Sequence, residues 1–354
     1  SPPVVVAPKA THLQLCINIE DPGDAVNAAH SAQHSPLLHE LIVADWDEQD
    51  PSLAPELMPD SFAAAIAGGA WPDLRMFHCK FLLRCETLLQ ANWRQLTELI
   101  VCVQKATPAQ FEALLARHPL LQRASLGCAG MDEKPRKGSG NRSKTSVTFN
   151  SLTSLDLHCA DDRMFSRFSF PRLRVLTLGG AVNLAKFGAQ LSRLPALEEL
   201  NVYYDSLVRF AGGDKTARCK DMKKLILGSS LTTTEDVTTA IAAFPALRSL
   251  SVSSTLGVEP LLAVCSSALK ELVEFDVRPS SLHEFVEPEL LTWLCTSCPK
   301  LRVLCLPTTA KEQVQKSCVA VRELQTLTGS ERRLSIHFGW ATHTGAACMN
   351  CEHL

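Results

Sequence analysis

Phe244-Pro245-Ala246-Leu247-Arg248-Ser249-Leu250-Ser251-Val252 is the stretch that decides the fold. It reads apolar, Pro, x, Leu, x, x, Leu, x, Val. The same phrase opens at His118-Pro119-Leu120-Leu121, Phe170-Pro171-Arg172-Leu173, Leu194-Pro195-Ala196-Leu197 and Cys298-Pro299-Lys300-Leu301, with looser copies at Ser35-Pro36 and Trp71-Pro72. Pro has no N–H and its ring clashes with the preceding helical turn. It also biases the residue before it towards extended backbone. Each apolar-Pro pair therefore marks where a helix stops and the chain turns towards a strand. The last two apolar positions of Leu-x-x-Leu-x-Leu lie two residues apart, the period of a strand with one buried face. One such unit cannot bury its own apolar face, so copies must stack.

Aligned on the first Leu, the copies begin at Leu38, Leu74, Leu96, Leu121, Leu152, Leu173, Leu197, Met222, Leu247, Leu272 and Leu301. Leu96 to Leu121 is a step of 25 residues, as are Leu197 to Met222, Met222 to Leu247 and Leu247 to Leu272. Leu13-Gln14-Leu15-Cys16-Ile17 reads as a first strand and Leu334-Ser335-Ile336-His337-Phe338 as a last one. Over nearly its whole length the chain resembles leucine-rich repeat proteins. The repeat length of about 25, with Cys or Pro before the first Leu, is similar to the ribonuclease-inhibitor-like and cysteine-containing repeats found in many F-box substrate receptors. The resemblance implies an α/β solenoid: an arc with a parallel β-sheet on its concave face and short helices or irregular segments on its convex face. No F-box is recognisable in the chain.

Composition narrows the class. Of the 354 residues 46% are apolar and 20% charged, enough to build a long core. A formal net charge of -2 argues against a generally nucleic-acid-binding surface. No run of apolar residues is long enough for a membrane span, and no secretion signal is visible in Ser1-Pro2-Pro3-Val4-Val5-Val6. The 14 Cys are scattered rather than paired at the ends. Cys79 falls on an inward ladder position, and Cys128 and Cys159 fall just after successive strands. We read them as reduced thiols packed as small apolar groups in the cytoplasm or another reducing compartment inside the cell.

Along the chain, residues 1–35 read as an N-terminal cap, 36–308 as about eleven repeats, and 309–354 as a C-terminal cap and tail. Insertions fall near 47–72, with a short helix at 61–67, and at 131–146. The second insertion, MDEKPRKGSGNRSKTS, reads first as a tolerated insertion, with a basic docking or phosphorylation loop as the functional alternative. Residues 205–221 read as another irregular loop. Thr107-Pro108-Ala109-Gln110 carries a capping Thr, a Pro at the first helical position and a Gln three residues after the cap. Phe111, Leu114, Leu115 and His118 follow at helical spacing. Further return helices fit 183–194, 235–244, 260–268 and 288–298. Thr309-Ala310-Lys311-Glu312 opens a terminal helix with Val314, Cys318, Val321, Leu324 and Leu327 on one face.

Three sets of residues carry functional expectations. No catalytic motif stands out: there is no phosphate-binding glycine loop, nucleophile elbow or His-Glu-x-x-His, and no cofactor is expected. In the tail, Cys348 and Cys351 have zinc-knuckle spacing that His343 and His353 could complete. Chance placement is the competing reading. The third, fifth and seventh positions of each phrase point out from the sheet. They include His78, Asp156, His158, Glu199, Asn201 and Tyr203, and Tyr204 and Asp205 adjoin this face at its edge. Gly127, Gly179 and Gly228 among them would leave a shallow channel. Tyr203 and Tyr204 are the only two Tyr in the chain, and Tyr offers large contact area at low entropic cost.

Three functions follow as expectations. The first is a non-enzymatic scaffold that grips a protein partner, in the manner of a ubiquitin-ligase substrate receptor. The second is a structural subunit of a large assembly, and the third a zinc-stabilised or lipidated module acting through its tail. No small-molecule substrate, nucleic acid or membrane span is expected.

Overall fold

A computed structural model describes residues 9–17, 35, 37–45, 57–104, 106–128, 147–161, 165, 167–184, 186–203, 207–208, 221–228, 241, 243–253, 270–278, 298–306, 335–338 and 351–353. The chain divides into two compact units, Ser1–Leu173 and Arg174–Leu354. Both are α/β solenoids built mainly on parallel strands.

In the first unit the strands are β1 (His12–Ile17), β2 (Glu40–Asp45), β3 (Met76–Leu83), β4 (Glu98–Val103) and β5 (Arg123–Cys128), then β6 (Val147–Thr148), β7 (Ser154–Asp161) and β8 (Phe168–Ser169). β1 to β5 and β7 pair in parallel in chain order. β6 and β8 form a small separate parallel pair. Among the described residues, α1 (Asp60–Ala67), α2 (Cys85–Gln90) and α3 (Pro108–Arg117) return the chain between strands. The expected capping box opens α3, with Gln110 N–H donating to Thr107 Oγ1 and the Gln110 side chain accepting from Thr107 N–H.

In the second unit the strands are β9 (Val175–Leu184), β10 (Glu199–Val202), β11 (Leu207–Val208), β12 (Lys224–Leu227) and β13 (Ser249–Ser253), then β14 (Glu274–Arg278), β15 (Val303–Leu306), β16 (Ser335–Phe338) and β17 (Cys351–His353). β9, β10 and β12 to β16 form one parallel run. β17 pairs antiparallel with β16. The 183–194 segment departs from the helix expected there. Asn183 and Leu184 remain in β9 because β11 pairs with them, so only α4 (Phe187–Gln190) and a 3-10 turn, Leu191–Arg193, are helical. β5 and β7 also extend through Cys128 and Cys159 rather than ending before them. Of the other expected features, the 131–146 insertion and the 260–268 and 309–327 helices lie outside the described residues. The 235–244 and 288–298 helices and the 205–221 loop lie there for the most part.

The phrase read from sequence becomes a defined turn. The first Leu donates its N–H to the carbonyl of the residue before Pro, at 3.0 to 3.3 Å, from Leu121 to His118, Leu173 to Phe170, Leu197 to Leu194, Leu247 to Phe244 and Leu301 to Cys298. Pro thus occupies the second position of a β-turn, where its fixed φ fits. Trp93-Arg94-Gln95-Leu96 makes the same turn without Pro. The more general requirement is a buried residue at each end. The first Leu (Met222 in one copy) is buried in all eleven copies, as are Trp93, His118, Phe170, Leu194, Phe244 and Cys298.

A second regularity sets the register. The carbonyl of the residue after the first Leu accepts two N–H groups from the next repeat. His39 O takes Arg75 and Met76, Arg75 O takes Thr97 and Glu98, Thr97 O takes Gln122 and Arg123, and Lys223 O takes Arg248 and Ser249. A carbonyl has two lone pairs, so this forked bond uses both and locks each repeat onto its neighbour. Behind the sheet the ladder residues pack to near-zero exposure, Leu41, Phe77 and Leu99 in one unit and Leu200, Leu225 and Leu250 in the other.

Candidate functional site

Alternation along each strand sends the third, fifth and seventh positions to the face opposite the Leu ladder. In the first unit these side chains join across strands. His78 Nε2 lies 2.9 Å from Glu98 Oε1, which also meets Arg123 Nη1 at 3.3 Å. Next to this group, Ser125 Oγ donates to Asp156 Oδ2 at 2.9 Å. Asp156 Oδ1 lies 3.5 Å from His158 Nε2, an ion-pair distance rather than a good hydrogen bond. The Asp156 carboxylate raises the His158 pKa above its ordinary value, against the opposing effect of partial burial.

The structure thus brings Asp156 and His158 together and leaves His78 apart from them. His78, Ile100, Ser125 and Asp156 share one row of the register, so His78 stands three strands, or about 14 Å, from Asp156. Ser125, Asp156 and His158 resemble a catalytic triad in composition only. The carboxylate lies between hydroxyl and imidazole, whereas a nucleophile needs the imidazole next to it.

In the second unit Glu199 Oε1 accepts from Asn201 Nδ2 at 2.9 Å and pairs with Lys224 Nζ at 3.1 Å. Asn201 Nδ2 also donates to Thr177 Oγ1 at 3.3 Å. Pointing outward does not mean exposure in this unit. The central row of this unit, Asn201, Ile226, Ser251, Asp276 and Cys305, points outward by alternation yet is buried. The polar members reach sideways rather than into solvent, as Ser251 Oγ does in donating to Asp276 Oδ2 at 3.1 Å.

The glycines leave no channel either. A Cβ on Gly228 would lie 3.2 Å from Val202 O and 3.7 Å from Cδ1 of Tyr203, and one on Gly127 would lie 3.0 Å from Cys102 Sγ. Gly228 therefore allows the close backbone approach to Val202 O, and the half-buried Tyr203 ring lies beside it at ordinary contact distance. Gly179 is buried. Tyr204 and Asp205 lie outside the described residues.

Most of the thiols among the described residues are packed away from solvent. Cys79 is buried and its pKa is pushed up to about 12, chiefly by desolvation. Such a thiol is neutral and unreactive. Cys85, Cys298 and Cys305 are also buried and Cys102 is half-buried, whereas Cys16 is exposed. In the tail, Cys351 and His353 lie on β17, opposite His337 and Ser335, while His343 and Cys348 lie outside the described residues. Among the described residues no cluster of three or more metal-ligating side chains forms, and no helix is long and apolar enough to cross a membrane.

Comparison with known proteins adds little to this geometry. No family model matches the chain, and no curated protein does. Among solved structures, a chain in the crystal structure of the Rad7 and Elc1 complex in yeast is similar at 15% identity and a TM-score of 0.38, over 84% of this chain and 76% of that one. A likeness this distant transfers no residue, partner or role.

Sequence reasoning missed His118. It occupies the slot before Pro that is apolar in Phe170, Leu194 and Phe244, and it is buried there at 2% exposure. A polar residue in an otherwise apolar slot was the available signal.

Proposed function

We propose that this chain is a non-enzymatic protein-interaction scaffold whose open sheet face takes a partner protein. The observation that carries this reading is the state of that face in the first unit. His78, Glu98, Ser125 and Asp156 are half-buried, yet each is held by a neighbour on the next strand. Side chains already ordered lose less freedom when a partner arrives. The proposed contact residues are His78, Asp156 and His158 in one unit and Glu199 and Tyr203 in the other, where the buried Asn201 acts by holding Glu199 in place. Tyr204 and Asp205 follow Tyr203 in sequence. The finer reading, a ubiquitin-ligase-type substrate receptor, is supported by the resemblance of the repeats to those of F-box receptors.

The test compares proteins co-purified with the tagged wild-type chain, with Asp156→Lys and with Tyr203→Ala, by quantitative mass spectrometry. A hot-spot loss of about 1.4 kcal/mol or more would deplete the partner at least about tenfold. Equal recovery of every partner by all three chains, with folding intact, would overturn the proposed face. A cullin-ligase adaptor among the depleted proteins would support the receptor reading. Recovery of one stoichiometric assembly unaffected by either change would favour a structural subunit held elsewhere on its surface.

A further inference from the structure

Along one edge of the second unit the strands begin side by side, and the backbone fixes the residue just before each of them. The carbonyls of Arg174, Glu198, Lys223, Arg248 and Val273 each accept two N–H groups from the following repeat, at 2.7 to 3.1 Å. Neighbouring members of this rim therefore stand one strand spacing apart, about 4.8 Å. From Arg174 before β9 to Arg302 before β15 the rim runs for about 24 Å.

The rim is basic. Arg174, Lys223, Arg248 and Arg302 stand on it, with Lys270 and Lys300 in the turns before β14 and β15, and all six are exposed. Among the described residues of this edge three carboxylates stand against them, Glu198, Asp221 and Glu271. The edge thus carries an excess of positive charge in a chain whose formal net charge is -2. Glu198 meets Lys223 at 3.0 Å and Arg174 at 3.8 Å, and Glu271 meets Lys300 at 2.6 Å. Arg248, Lys270 and Arg302 have no carboxylate partner among the described residues. None of the described rim and turn positions is aromatic.

We infer that this rim is a docking edge for an extended acidic segment of a partner polypeptide. About eight extended residues span it. Duplex nucleic acid carries about one charge per 1.7 Å of its axis, so its phosphates would meet Glu198 and Glu271 as well as the cations. Single strands bind by stacking bases on aromatic side chains, which this edge lacks. A peptide can set uncharged residues against those carboxylates and acids against Arg248, Lys270 and Arg302. The rim lies at the ends of the strands rather than on the outward face, so this docking and the proposed sheet-face interaction can fail separately.

The test follows the fluorescence anisotropy of a labelled peptide of about eight residues alternating Glu and Ser, titrated with the full chain at low salt. Saturable binding that weakens as salt is added is expected. Arg248→Glu with Arg302→Glu should reduce the affinity about tenfold or more, because each reversal replaces an attraction with a repulsion. Arg248→Gln with Arg302→Gln removes the charge alone and should cost about threefold or more, which keeps the test open if the Glu pair misfolds. Arg84→Glu with Arg94→Glu makes the same change in net charge on exposed side chains of the first unit, and should leave the affinity unchanged. Absence of saturable binding, equal binding of a peptide alternating Lys and Ser, or an equal loss in the Arg84 and Arg94 variant would overturn the edge. Tighter binding of an oligothymidylate of equal length, or of vesicles containing phosphatidylserine, would overturn the polypeptide assignment in favour of nucleic acid or membrane.

Discussion

At the scale of single residues, the distinctive chemistry lies in the charged side chains of the open face. His158 is protonated more readily in the folded chain than in the unfolded one because Asp156 stands beside it. The sign follows from linkage. A raised folded pKa contributes stability fully below the ordinary histidine value of about 6.5, and the contribution disappears as pH rises through the raised value. NMR titration should therefore place the His158 midpoint above that ordinary value, and Asp156→Asn should bring it down. A midpoint unmoved by Asp156→Asn would remove the pair from consideration. The neighbourhood of Asp156 and His158 was legible, since they are two residues apart on one strand. That Ser125, 31 residues away, would bond Asp156 was not, because it depends on how strands register across an insertion.

At the scale of elements, the proline turn separates what the chain requires from what merely assists it. Trp93-Arg94-Gln95-Leu96 closes the same hydrogen bond as the proline copies, so burial of the two ends makes the turn, and Pro only reduces the freedom lost on folding. Arg94 is exposed at the position Pro occupies in the other copies. Arg94→Pro should therefore stabilise the chain by about 0.4–1 kcal/mol, read as a higher denaturant midpoint with an unchanged slope. A lower midpoint would show that Trp93 does not tolerate a following Pro. α3 was legible in full, from its cap to its buried stripe, because every signal lies within one turn or one helical period. The helix expected at 183–194 failed for the opposite reason: β11 reaches Asn183 and Leu184 from more than twenty residues downstream and extends β9.

At the scale of the whole molecule, stability is a sum of neighbouring repeats rather than of one central core. The apolar ladder of the first unit ends at β1, where Leu13 and Leu15 are only half-buried, whereas Leu99 on β4 has no exposure. Leu99→Ala should cost about 2–5 kcal/mol and Leu13→Ala markedly less, as measured by chemical denaturation of the two variants. Equal costs would mean that β1 is covered as completely as an interior strand.

What the amino-acid order alone determined was the repeating unit: its Leu positions, its turn and its alternation of inward and outward side chains. These are local or periodic properties, and every copy restates them. Only the tertiary structure decided how successive repeats interlock through a shared carbonyl. It also decided that the outward central row of the second unit is buried and that Tyr203 lies beside Gly228. Each of those depends on side chains from different repeats meeting at a distance and angle that no single repeat encodes.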